Sequence, residues 1–394
     1  MKLTVATNWD NALLDNFNEI NKEYDNCIYE IYGSLRSSVV GNARAQSTLP
    51  NVSVEEAKKH IDLAHKYNLK FNYTFNAGCT NGLEFYKPVH DKILEYLDSV
   101  VALGIDSIVV AIPFYLELIK QRYPDIGVKV SLNAHVDSLQ KLKVWNDLGA
   151  DNIVVCESLN RDFEMLEKFR ENSRAELELI TSNVCLFSCA YQYYHNGLVA
   201  HMSQEDNPLK GLYVEYPVLH CMLSKFSEPK MLIRSRWIRP EDMKEYEKIG
   251  YNVFKIGARQ SSTEWNTRAA RAYASQDYDG NLLLILQGLE PIADIDSKKV
   301  DGVKEENWQT FKQGIESFKD CASILQVDNK KLDGFLEHYK NNPCRYNCDG
   351  KTCHYCKKMA DRAVTVNDEL KLTELIETSK FVIGGLSISE IMFE

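Results

Sequence analysis

The chain has 394 residues, of which 44% are hydrophobic and 26% charged, with a formal net charge of −10. That length suits one β/α barrel of roughly 250 residues plus an appendage, and no stretch approaches the roughly 20 apolar residues that cross a bilayer. An acidic chain opening on MKLTVATNWDN, with no basic segment followed by an apolar one, predicts a soluble, cytoplasmic protein; it disfavours a membrane location or a broad nucleic-acid surface and leaves a small-molecule, nucleotide or peptide substrate and a protein partner open.

In chain order, runs rich in β-branched and aromatic residues predict strands at Lys2–Thr7, Cys27–Tyr32, Lys70–Phe75, Ser107–Ile112, Lys129–Leu132, Asn152–Cys156, Glu176–Ile180 and Asn252–Ile256. Segments of helical period separate them at Val54–Tyr67, His90–Leu103, Tyr115–Arg122, Ser138–Leu148, Asn160–Asn172 and Arg239–Ile249. The first of these follows Ser53 with Glu56 three residues on, a capping box; the last has Pro240 in its first turn and Gly250 after its end. This alternation predicts an eight-stranded parallel, TIM-like barrel over residues 1–275. Two connections are too long for the rhythm, Ser34 to Leu49 and the excursion 181–240, in which Met231–Ile238 reads as an extra strand. Each follows a strand's C-terminal end, so both belong to the mouth face where barrel active sites are built. Residues 276–394 form a smaller helical appendage, with helices at Trp308–Ser317, Lys331–Lys340, Lys357–Val366 and Leu370–Ser379.

The chemistry-bearing signal is cysteine. Eleven thiols in a large chain without an export signal point to metal or redox work. Cys185 and Cys189, in TSNVCLFSCAYQYYHNG, stand just past the seventh strand, and Cys221 lies in the same excursion. Three soft donors at one strand end suit an iron–sulfur cluster or zinc; the plain alternative is buried structural cysteine. Cys344, Cys348, Cys353 and Cys356 crowd into CRYNCDGKTCHYC, a polar segment with little core to pack against. They suit a zinc ion, a second cluster or the missing ligand of the first site. Cys27 and Cys156 fall within strands and read as core, while Cys79 is a weaker mouth candidate.

Strand ends supply the remaining candidates. Lys255 and Arg259 suit recognition of a carboxylate or phosphate, against the alternative of a salt bridge inside the barrel to Glu30 or Glu157. Arg36, Asn133 and Glu157 join them as substrate-binding candidates, and His135, Tyr73 and Lys255 as catalytic ones, His135 for its near-neutral pKa. His195 and His201 neighbour the cysteines and are candidates to orient a cluster or substrate.

The run NVCLFSCAYQYYHNGLVAH and the later RSRWIRPEDMKEYEKIGYNVFKIGAR, with YGSLR and AHVDS, resemble the family labelled peptidase U32. That resemblance covers most of residues 1–275. It implies a β/α barrel with a 4Fe-4S cluster serving dioxygen-independent hydroxylation of a quinone precursor or of tRNA and rRNA bases. The alternatives are the peptidase activity of the label, for which neither a Gly-x-Ser-x-Gly elbow nor a His-Glu-x-x-His helix is present, and a non-catalytic accessory role beside a partner. One departure is specific. The family strand ends Lys-Ile-Glu-Gly-Arg, whereas this chain has Lys255, Ile256, Gly257, Ala258 and Arg259, so the acid is missing while both cations remain.

Overall fold

The structure, a computed structural model, describes residues 1–209, 216–289, 299, 302–316, 321–342, 344, 348 and 352–388. Eight parallel strands close into a barrel in chain order: β1 Lys2–Ala6, β2 Ile28–Gly33, β3 Lys70–Phe75, β4 Ser107–Val110, β5 Gly127–Val130, β6 Asn152–Val154, β7 Glu176–Ile180 and β8 Val253–Ile256, which pairs back onto β1. Every predicted strand is present, β3 and β7 with the predicted bounds. Around them run α1 Asn11–Glu23, α2 Val54–Lys66, α3 Lys87–Val101, α4 Pro113–Arg122, α5 Leu139–Asp147 and α6 Phe163–Asn172. The excursion between β7 and β8 carries α7 Gln192–Met202, α8 Tyr216–Ser227, α9 Lys230–Arg234 and α10 Met243–Lys248, and α11 Thr263–Ser275 follows β8.

Side-chain alternation decides what each strand position can do. Leu3, Val5, Ile31, Phe71, Tyr73, Ile108, Leu179 and Phe254 point outward into the packed layer beneath the helices. The alternate positions face the lumen, and they are polar: Thr4, Glu30, Asn72, Ser107, Lys129, Asn152, Glu178 and Lys255, rather than the branched aliphatics that usually fill such a barrel. Lys129 Nζ lies 2.5 Å from Glu30 and 3.7 Å from Glu178, and Lys255 Nζ lies 3.8 Å from Glu178. Burial opposes the charge on Lys129, but Glu178 and Glu30 outweigh it and its pKa is raised. Burial raises the Glu30 carboxyl.

Capping follows the sequence closely at α2, where the Ser53 and Glu56 capping box is formed. Elsewhere local pattern misleads. Met231–Ile238 is not a strand: the chain turns into α9 after Pro229, and both the amide and the hydroxyl of Ser235 bond Met231 O, closing that turn. The predicted helix Lys331–Lys340 is split by Gly334 at φ 79° into a 3-10 turn Lys330–Leu332 and a later helix.

Beyond the barrel lie α12 Glu305–Glu316, α13 Cys321–Ile324, α14 Glu337–Asn341, α15 Tyr355–Ala363 and α16 Glu369–Ser387, with an antiparallel pair β9 Leu325–Val327 and β10 Val364–Val366 that the helical reading had not anticipated. Ser317, the end of one predicted helix, lies outside the described residues. α15 packs on α9 and α16 on α8, so the appendage sits against the excursion. Arg161 is the pin between them. Its buried guanidinium lies 4.6, 4.7 and 5.1 Å from the rings of Trp237, Phe335 and Tyr339 and donates to Ile233 O at 2.5 Å. Among the described residues no helix is long and apolar enough to cross a membrane.

Candidate functional site

The strand ends, the Ser34–Leu49 connection and the excursion enclose a cavity of about 300 Å³ at the barrel mouth. The first connection is locked to α7 at Gly41, where φ is 83° and a side chain would meet Ala200 O at 2.0 Å. This close approach sets Arg44, Ala45 and Thr48 into the cavity wall.

Cys185, Cys189 and Cys221 all line that one cavity. Cys185 sits on a tight turn after β7, its amide donating to Asn183 Oδ1 at 2.7 Å; Cys189 stands just before α7, and Cys221 lies on α8. One helical turn beyond Cys221, the ammonium of buried Lys225 lies 3.0 Å from its Sγ. Burial pushes the Cys185 and Cys189 thiols up, and nearby thiols and Glu157 add to the effect. Among the described residues no three His, Cys, Asp or Glu side chains are grouped to hold a single ion. Three soft thiol donors lining one cavity, with a buried cation against one of them, are a donor set that suits an anionic metal–thiolate centre.

Cations line the same cavity. Arg259 is 5% exposed and donates to Ser34 Oγ at 2.6 Å, Thr74 Oγ1 at 2.7 Å and Asn42 Oδ1 at 3.3 Å; among the described residues it forms no ion pair with a carboxylate. Lys255 Nζ lies 3.4 Å from the Tyr32 ring centroid, and burial, only partly offset by Glu178, brings its pKa down to about 8. Of the two alternatives for Lys255, the barrel thus supplies a loose partner, while Arg259 has neutral ones. Arg44 adds a further cation, held by Gln260 Oε1 at 3.0 Å.

The missing acid of the eighth strand has a structural counterpart. A Cβ on Gly257 would come 1.6 Å from Gln287 Oε1, so a neutral amide from beyond the barrel fills the space a side chain at 257 would need. Gln287 is held there by its backbone N–H, which donates to Ser182 O at 2.8 Å.

His135, Asn133 and Glu157 also line the cavity. His135 adopts a left-handed φ of 47°, its Nε2 lies 2.9 Å from Asn196 Nδ2, and burial and Lys141 lower its pKa. Burial raises the Glu157 carboxyl, which accepts from Gln192 Nε2 at 2.6 Å. His195 lines the cavity with its pKa lowered to about 4 by burial, so its ring is neutral near pH 7.

Two sequence candidates lie elsewhere. Tyr73 points outward between β3 and α3, where its hydroxyl contacts Tyr96 OH at 2.7 Å and accepts from Leu35 N; burial pushes its pKa up to about 12. Its neighbours Asn72 and Thr74 take the inward positions. Arg36 bonds Gln46 O within its own loop and does not line the cavity. Cys79 is exposed and also off the cavity. The four C-terminal cysteines do not reach it either. Instead Arg234 donates to Cys348 Sγ at 3.0 Å and to Cys348 O at 2.7 Å, and Tyr339 OH lies 3.3 Å from Cys356 Sγ. A hydrogen bond from Cys344, aided by Arg234, lowers the Cys348 thiol pKa. Arg44, Lys225 and Gln287 went unread in the sequence. Only Lys225, at i+4 from Cys221 on a helix, carried a local signal.

Known proteins place the chain by its barrel. An uncharacterized protease of Methanocaldococcus jannaschii is 27% identical over 357 residues, covering 90% of this chain and 94% of that protein. The tRNA hydroxylation protein P2 of Bacillus subtilis is 23% identical, covering 64% of this chain and 67% of that one. A solved U32 peptidase structure covers 59% of this chain and 85% of its own at 22% identity, with a TM-score of 0.45. The profile described as peptidase family U32 matches residues 15–277, a span that holds β2 to β8 and every cavity thiol, and the chain belongs to that family.

Proposed function

We propose that the chain is an iron–sulfur enzyme that carries out a dioxygen-independent, hydroxylation-like redox modification of an anionic small molecule, nucleotide or peptide. The observation that carries this reading is the shared cavity: Cys185, Cys189, Cys221, Lys255 and Arg259 all line it. The naming of the Bacillus subtilis relative as a tRNA hydroxylation protein supports the reaction class.

Cys185, Cys189 and Cys221 would hold the centre, with Lys225 offsetting its negative charge. A bound 4Fe-4S cluster supplies one-electron chemistry to whatever occupies the cavity. Arg259, pre-positioned by Ser34, Thr74 and Asn42, grips an anionic group; Lys255 adds charge from the cavity floor and can give up a proton near pH 8. His135 and Glu157 stand where protons move, the former as an acceptor and the latter as a carboxyl that burial biases toward its protonated form. Helices α7 and α8 cover the thiols and limit water.

Anaerobic purification followed by absorption and EPR spectroscopy tests the reading. A cluster signal that disappears in Cys185→Ser supports it, and an iron-free protein under those conditions sinks it. A hydrolase is the second reading, favoured by one contact: Lys225 Nζ against Cys221 Sγ has the form of a nucleophile beside a lysine. Peptide cleavage that survives chelation and is abolished in Cys221→Ser would select it.

A further inference from the structure

We infer that Cys344, Cys348, Cys353 and Cys356 form a second iron–sulfur centre, set back to back with the barrel thiols across the segment 234–236. Cys344, Cys348 and Cys356 meet one set of side chains. Arg234 donates to Cys348 Sγ, and Tyr339 OH contacts Cys356 Sγ. Arg236 neighbours the Cys344 thiol, is only 3% exposed, and has an Nε without a hydrogen-bond partner among the described residues. Neither arginine is ion-paired to a carboxylate among those residues. The buried Arg236 guanidinium demands counter-charge, and among the described residues thiols stand beside both arginines. A set of thiols beside cations suits the net negative charge of an iron–sulfur cluster.

The same short segment also holds the barrel thiols. Ser235 Oγ donates to Val184 O at 2.9 Å, one residue before Cys185. The Arg236 guanidinium stacks 3.7 Å from the ring centroid of Phe187, which stands between Cys185 and Cys189. The two thiol groups are thus separated by one layer of protein. This inference goes beyond the barrel reading, and each can fail without the other.

The test is iron, sulfide and zinc content per chain after anaerobic reconstitution with ferrous iron and sulfide, with EPR of the dithionite-reduced protein. Cys344→Ser/Cys348→Ser is expected to keep about half the wild-type iron and the barrel signal, with loss of the magnetic interaction between neighbouring centres. Cys185→Ser/Cys189→Ser is expected to keep the complementary half. Arg234→Leu leaves every thiol in place, and removing its charge should make the reduction midpoint of the second centre more negative while the barrel centre stays put. The inference is overturned by zinc in place of iron at these thiols, by iron content unchanged in Cys344→Ser/Cys348→Ser, by loss of all iron in that variant, or by an unmoved midpoint in Arg234→Leu. Failure of the barrel reading looks different: iron then survives Cys185→Ser/Cys189→Ser undiminished.

Discussion

The two thiol-bearing regions use the same donor chemistry in opposite surroundings. At the barrel mouth Cys185, Cys189 and Cys221 line a cavity that Lys255 and Arg259 also line; in the appendage Cys344, Cys348 and Cys356 meet guanidinium groups and an aromatic ring, and none of them lines the cavity. The contrast teaches that ligand type does not decide what a site does. A thiol wall with room beside it can bring a substrate to a centre, while a thiol group closed in by arginines can hold a centre and little else.

Each prediction presses on that contrast. The largest effect is expected from Cys185→Ser, which should remove the barrel centre outright and leave the appendage centre intact, read as iron per chain and EPR. Next, Arg259→Met should weaken binding of inorganic phosphate, used as a probe anion, by about 100-fold in calorimetry, because the pre-positioned guanidinium is lost at a cost of about 3 kcal/mol. Arg234→Leu should leave that affinity untouched.

Arg161→Leu attacks the pin instead of either site. It leaves the Ile233 and Trp237 carbonyls short of a donor and empties a three-ring cage, so unfolding in urea should show a loss of about 3 kcal/mol. Hydrogen exchange should rise in α15 and stay unchanged in β1 to β5; uniform loosening would mean that the appendage and barrel are not separable.

The pH dependence of anion binding is smaller and has a definite sign. Lys255 is charged below about 8 and neutral above, so affinity is fully present below that value and falls as pH rises through it, by about tenfold before the complex itself titrates. Lys255→Arg, whose guanidinium stays charged, should bind with no such fall. The smallest effect is expected at the substituted acid: Gln287→Glu puts a carboxylate where the amide fills the space over Gly257, and should cost the anion about 1 kcal/mol, near fivefold.

The barrel was legible because strand and helix periods alternate outside two long connections, and Lys70–Phe75 and Glu176–Ile180 are bounded sharply by turn residues. Among the cavity-lining residues, Cys185 and Arg259 were legible because they come soon after strands, and Lys255 because it is a charge within one. Tyr73 was misplaced by parity: it sits one residue from Asn72 and Thr74, and a single step along a strand exchanges lumen for outer layer. Gln287 and Arg44 arrive from distant segments, and no local spacing announces a partnership across 30 or more than 200 residues, as with Gln287 over Gly257 and Arg44 on Gln260. The fate of Met231–Ile238 was decided by Ser235 bonding back to Met231, a contact that alternation of residue types does not reveal.

Anomalous diffraction at the iron edge, from crystals grown without dioxygen, tests the central claim most directly. The account predicts a peak in the mouth cavity bounded by the sulfurs of Cys185, Cys189 and Cys221. Crystals with those thiols reduced and intact, grown from iron-reconstituted protein yet showing no peak there, would contradict it.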